Sequence, residues 1–161
     1  MSVSSIAICP TYHLQKALFF GLEFISCKLV GTNLPETILN HCRMQDCNAR
    51  YLNFSMSKIN QAEFTTCDLR NSDFNDCKLT SIAFTNCELV EAEFSHTPLR
   101  GIDLSDSHIE GIHVNLPDIR GAIVSTHQAM DLTSLLGLVI KDWNNFPFSL
   151  VIPMEFTFKI K

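Results

Sequence analysis

The chain has no long apolar run. Nothing in it approaches the roughly 18 consecutive apolar residues of a membrane-spanning helix, so no membrane partner is expected. Met1–Phe20 lacks the basic start and unbroken apolar core of a secretory leader, which points to a cytoplasmic protein. There is no Cys-x-x-Cys pair, no glycine-rich phosphate loop and no nucleophile elbow. The histidines (His13, His41, His96, His108, His113 and His127) are scattered, and none has an acidic partner implied by spacing. An enzyme is therefore not expected, nor a cofactor or metal. Positive charge is also in deficit. Twelve Lys and Arg stand against 17 Asp and Glu, a net of −5 that argues against direct nucleic-acid binding. The apolar share, 46%, is that of a folded chain.

What is present is a repeat. From Glu63 to Leu99 a Phe or Leu returns every fifth residue: Phe64, Leu69, Phe74, Leu79, Phe84, Leu89, Phe94, Leu99. Carried outward, every fifth residue from Leu14 to Val124 is apolar. From Ala17 to Ala122 the residue two before each is Ala, Cys, Ser or Thr, with exceptions at Leu22, Leu52, Ile82, Ile102, Ile112 and Pro117. No insertion or deletion interrupts the register, and such a period decides the fold.

A period of five suits neither regular element. On an α-helix the apolar row would wander around the axis. On a flat strand it would alternate between faces. A chain that keeps both the small and the large residue inside must turn a corner once per pentad. Four corners close a square coil of twenty residues, and coils stack at about the 4.8 Å strand spacing. Gly101, Gly111 and Gly121 fall at the corner, where positive φ is useful, and Pro98 and Pro117 should disturb the ladder locally.

The small-x-Leu/Phe-x-x tandem resembles the pentapeptide-repeat superfamily over about residues 12–125. The resemblance implies an all-β solenoid, a right-handed quadrilateral parallel β-helix. On this reading residues 1–13 are an N-terminal cap, 14–124 the β-helix and 125–161 a C-terminal helix-and-strand module. In that module Ser125 or Thr126 caps a short helix to about Leu136, Gly137 stops it, and Leu138–Ile140 form a strand. The module either closes the coil end or dimerises through Met130, Leu132, Leu135, Leu136, Leu138 and Ile140. The apolar load of the tail, which includes Trp143, Phe146, Phe148, Phe156 and Phe158, favours a homodimer.

Six cysteines (Cys27, Cys42, Cys47, Cys67, Cys77, Cys87) occupy the small inward slot. A collinear stack of thiols cannot surround a tetrahedral zinc and is poorly aimed for disulfides, so packing is the expected role.

Taking every twentieth residue sorts the charges by face. One face carries Glu23, Asp46, Glu63, Asp103 and Asp106 against Arg43 alone. The opposite face carries Glu36, Asp73, Asp76 and Glu93 with no Lys or Arg. A third is mixed, and the fourth is a basic stripe: Lys58, Lys78, Arg100 and Arg120 against Asp118. Solvated charge is the ordinary explanation for outward positions. The rival is imitation of nucleic acid. A rod about 27 Å long would match B-DNA carrying roughly 16 phosphate charges, and the two acidic walls together supply about half of that.

The unbroken repeat, the acidic walls and the ending THQAMDLTSLLGLVI are similar to the Qnr and MfpA branch of the superfamily. That resemblance implies a bacterial DNA-mimicking dimer that binds type II topoisomerases, DNA gyrase or topoisomerase IV, and protects them from quinolones. Glu63, Asp73, Asp76, Glu93, Asp103 and Asp106 would then meet the enzyme's basic DNA-binding saddle. The projecting loops of some Qnr proteins are absent here, and Asp142–Lys161 has no counterpart in that branch. The alternative is a protein-interaction scaffold whose acidic partner is gripped by Lys58, Lys78, Arg100 and Arg120.

Overall fold

How a period of five becomes a coil is visible at one position of each pentad. The residue two after the central apolar residue has positive φ at every repeat from Lys16 to Gly121, except Asp106 and Leu116. Fifteen of these corners are not glycine, Tyr51, Met56 and Gln61 among them. Gly101 and Gly121, at φ +78° and +81°, hold the same position without the Cβ penalty. Leu116, just before Pro117, loses the corner where Asn115 C=O takes the N–H groups of Asp118 (2.9 Å) and Ile119 (3.2 Å) in a tight turn instead.

The computed structural model describes residues 2–3 and 16–137. Each corner turns the chain by one side of a square, and residues twenty apart pair in parallel. Strands β2 (Leu18–Phe20), β4 (Ile38–Asn40), β6 (Lys58–Thr65) and β7 (Lys78–Thr85) lie in one such series. Strands β3 (Glu23–Ile25) and β5 (Arg43–Gln45) form the adjoining side, which β6 and β7 continue around their corners at Gln61 and Ser81. The pairings Ile38↔Lys58↔Lys78 and Glu23↔Arg43↔Glu63 keep the twenty-residue step. The other two sides are held by single bridges, Lys28↔Asn48↔Asp68↔Glu88↔His108 and Asn33↔Asn53↔Asp73↔Glu93↔His113. The chain is thus an all-β solenoid, a right-handed quadrilateral parallel β-helix with a short C-terminal helix. Strand β1 (Ser2–Val3) pairs in parallel with Glu23–Phe24, on the edge of the first coil.

Proline acts where the sequence places it. Pro98 has no N–H to donate, and the strand series that runs through β7 ends in that coil. Beyond it the same sides close with β-turns instead, Ile102 N–H to Leu99 C=O (3.0 Å) and Ser107 N–H to Leu104 C=O (3.0 Å).

The core is a column of side chains from both inward positions. Phe54, Phe74 and Phe94 line one side and Phe64 and Phe84 the opposite one, all buried. Phe74 and Phe94 stack at 4.9 Å, as do Phe64 and Phe84 at 5.0 Å. The two stacks meet edge-to-face across the interior at 6.0–6.2 Å. Exceptions to the motif compensate locally. Ala49 takes a slot built for Leu, and Leu52 takes the next small slot, across the turn its N–H closes onto Ala49 C=O (3.2 Å).

The small slot selects for more than size. Thr97 Oγ1 donates to Phe74 C=O (2.6 Å) in the coil before and accepts from Cys77 N–H (2.9 Å). Ser57 does the same between Leu34 C=O (3.2 Å) and Thr37 N–H (3.0 Å). Cysteine fills the slot with a weaker donor: Cys47 Sγ to Phe24 C=O (3.3 Å), Cys77 Sγ to Phe54 C=O (3.0 Å), Cys87 Sγ to Phe64 C=O (3.3 Å). The thiols are therefore packing groups that also satisfy backbone carbonyls. Burial pushes the Cys77 thiol up to about 12 and raises Cys42 as well. Cys47 is raised by its hydrogen bond with the neighbouring Cys67 thiol, reinforced by burial.

Two outcomes follow. Thr97→Val keeps the volume but strands a buried N–H and C=O, so urea unfolding should show a loss of about 1–3 kcal/mol. Iodoacetamide at mildly alkaline pH should leave Cys42, Cys47 and Cys77 unmodified in the folded chain and alkylate them in urea, read by peptide mass spectrometry.

Candidate functional site

Every second residue of each side points outward, so the solenoid presents flat walls whose chemistry is set by columns twenty residues apart. On the wall centred on Phe54, Phe74 and Phe94, one column reads Asn33, Asn53, Asp73, Glu93, His113 and the corner column reads Glu36, Met56, Asp76, His96. Asp73, Asp76 and Glu93 come together here on two successive coils. Asp76 is exposed and Asp73 and Glu93 are half-exposed. Asp73 Oδ1 accepts the N–H of Asn75 (2.8 Å) and Glu93 Oε1 that of Ser95 (2.8 Å). Asn53 makes the same bond to Ser55 (2.8 Å), so the turn needs an acceptor and not a charge. Among the described residues no Lys or Arg pairs with any of the three. Glu36, in contrast, faces Lys16 at 3.6 Å.

The wall of Phe64 and Phe84 is less acidic than its composition suggests. Glu63 is bound by Arg43 through Nη2 (2.9 Å) and Nε (3.0 Å) one coil away. Ala83 separates it from Asp103 in the same column. Asp103 and Asp106 are exposed. The hydroxyl and amide of Ser105 both donate to Asp103 (2.7 and 2.9 Å) and hold its carboxyl below the usual range, so it stays charged on mild acidification.

The histidines, featureless in sequence, fall into place on the coil. His96, His108 and His113 each stand one coil above a carboxylate. His108 Nδ1 lies 2.7 Å from Glu88 and His96 Nδ1 3.8 Å from Asp76, while His113 is bridged to Glu93 through the backbone. The fifth coil thus ends the acidic wall. The spacing of twenty was the signal that could have paired them.

The basic stripe is one face. Lys58 and Lys78 are adjacent in the ladder, and Arg100 and Arg120 follow on the other edge of the same face. All four are exposed, and none makes an ion pair with a described residue. At its N-terminal end the face exposes Leu18 and Phe20.

At the C-terminal end Ser125 caps α1 (Thr126–Asp131), followed by a 3₁₀ turn over Leu132–Leu136 and Gly137 at φ +66°. The expected single helix therefore tightens after one and a half turns. Buried Gln128 accepts from Ser125 N–H (2.7 Å) and donates to Ser107 C=O (2.6 Å) and to Leu104 C=O (2.8 Å), the latter shared with Ser107 N–H. The capping-box spacing Ser125-x-x-Gln128 carried this role in the sequence. Leu132 and Leu135 are half-buried against the core, Met130 is half-buried, and Leu136 is 57% exposed. Leu138 and Ile140, the strand expected there, most of the N-terminal cap and the apolar tail lie outside the described residues. Among the described residues no helix is long and apolar enough to cross a membrane, and no three metal-ligating side chains converge.

Residues 17–94 match the family model for a pentapeptide repeat region. The repeat is a pentapeptide repeat. No curated protein matches the chain. Among solved structures, the pentapeptide coil is similar to a trypsin-treated form of QnrB1, a plasmid-mediated fluoroquinolone resistance protein, at 14% identity and TM-score 0.43, covering 88% of this chain and 95% of that one. It is similar also to a pentapeptide repeat protein of the Arabidopsis thaliana thylakoid lumen (18%, TM-score 0.37, 76% and 78%). A third is HetL of the cyanobacterium Nostoc, involved in heterocyst differentiation regulation (18%, TM-score 0.32, 68% and 63%).

Gln128→Ala should cost about 1–3 kcal/mol, since the buried Ser107 C=O loses its donor and Leu104 C=O keeps only Ser107 N–H. The loss should be local: amide exchange should rise over residues 104–124 and stay unchanged over 54–74.

Proposed function

We propose that this pentapeptide-repeat chain is a non-catalytic binding protein. It imitates DNA and docks into the DNA-binding saddle of a type II topoisomerase, DNA gyrase or topoisomerase IV, in the bacterial cytoplasm. The observation that carries the reading is the row Asp73, Asp76 and Glu93: carboxylates on a rigid ladder, with no ion pair to Lys or Arg among the described residues. A rod whose charges are held by backbone hydrogen bonds loses little entropy on docking, which offsets a charge density lower than that of DNA. Asp103 and Asp106 extend the acidic surface around the corner, and Glu63 joins it once Arg43 is drawn away. Residues 125–161 serve as the capping and dimerising module, with Leu136, Leu138 and Ile140 at the contact. Dimerisation would double the length of the mimic.

One observation favours a second reading, a scaffold for an acidic protein: the unpaired stripe of Lys58, Lys78, Arg100 and Arg120. It would sit awkwardly beside a DNA-shaped groove.

Gyrase supercoiling with titrated protein, with and without ciprofloxacin, separates the two. Under the first reading, inhibition or drug rescue should appear and fall at least about tenfold in D73N/D76N/E93Q, which keeps the turn acceptors and removes only charge. No effect of the wild-type chain on gyrase or topoisomerase IV would leave the scaffold reading standing.

A further inference from the structure

The acidic wall and the basic face belong to neighbouring sides of one square, and they repeat at the same twenty-residue step. Asp73, Asp76 and Glu93 lie on the side centred on Phe74 and Phe94, and Lys78 and Arg100 lie on the next side of the coil. Neither set is neutralised by Lys, Arg, Asp or Glu among the described residues. Like charges stacked one strand spacing apart, as Lys58 over Lys78, repel unless something of opposite sign covers them.

We propose that four copies of this chain associate side by side as parallel rods, the basic face of each lying on the acidic face of the next. The closure follows from the geometry. A contact between two different faces is heterologous and normally grows without limit. Here the two faces are adjacent sides of a square, so each added rod is rotated by about 90°, and the fourth presents its basic face to the acidic wall of the first. A closed ring allows no net axial shift, so equal coil levels must be complementary, and they are. Facing sides of parallel rods are traversed in opposite directions. Lys78, on the leading edge of its face, therefore meets the corner residue Asp76, and Arg100, on the trailing edge, meets Glu93. Thr80 falls opposite Asp73, and the stem of Lys58 covers exposed Met56.

The ring buries Asp76 and Glu93, the residues assigned above to a topoisomerase. Self-association and docking would then exclude one another, with salt or a stronger basic surface opening the ring. The inference stands on the charge columns alone and does not depend on which partner is correct.

Sedimentation of the full chain tests it. In about 20 mM salt, where charges act over roughly 20 Å, a closed ring is expected, a particle of four chains or, where the C-terminal module joins two rings end to end, of eight; in about 0.3 M salt the ring should weaken at least tenfold, to single chains or C-terminal dimers. K78E/R100E should abolish it. Mixing that variant with D76K/E93K, which reverses the two acidic partners and alone also fails to assemble, should restore the closed ring, a result that misfolding of either variant cannot produce. A chain that is monomeric in low salt overturns the proposal. So does association that stops at a dimer and ignores salt and the charge reversals, which belongs to the apolar C-terminal module alone. Gyrase activity is not read in this experiment, so its failure leaves the mimic reading intact.

Discussion

A backbone hydrogen-bond ladder with a twenty-residue step holds everything else in place. Phe54, Phe74 and Phe94 each donate an N–H to the carbonyl of the following coil at 2.7–2.8 Å, and the bonding continues through Leu104. To return to register after twenty residues, the chain must turn four corners, and all but Asp106 and Leu116 of the corner residues from Lys16 to Gly121 are left-handed. Fifteen non-glycine residues adopt that conformation, at a cost of about 1–2 kcal/mol apiece. It persists because coils on both sides impose it. The price is met by an interior that wastes no position, with stacked phenylalanines on two sides and slot residues that return hydrogen bonds to the carbonyls above them.

Because the ladder fixes the backbone, the outer residues are released from folding duty. Asn53 and Asp73 perform the same turn bond, and only one carries charge. A wall can therefore gain or lose charge without disturbing the coil. The family fold consequently says little about function, which resides in the columns of side chains. In this chain the columns give one wall where Asp73, Asp76 and Glu93 meet no described Lys or Arg, a second wall partly neutralised by Arg43, and a basic face between them.

The ends are where a solenoid is exposed, since each would offer unpaired backbone groups to another chain. At the C-terminal end the solution is a single side chain. Gln128 donates to the carbonyls of Leu104 and Ser107 while Leu132 and Leu135 cover the apolar column. Those two leucines are largely committed to the cap, and Leu136 carries the exposed apolar surface of the described module.

The coil was legible without coordinates because its cause is local. A period of five with two inward residues admits only a corner per pentad, and the corner glycines, the disturbing prolines and the inward cysteines all follow from position in the repeat. The assignment of charges to faces was legible for the same reason, since it needs only division by twenty. What happens between coils could not be read. Whether Arg43 reaches Glu63, whether histidines cap the acidic column, and whether Thr97 bridges Phe74 and Cys77 depend on side-chain reach across a gap of one strand spacing. Sequence fixes the neighbours on that ladder; only the three-dimensional packing decides which of them bond, because each outward side chain chooses among partners above, below and along its own turn.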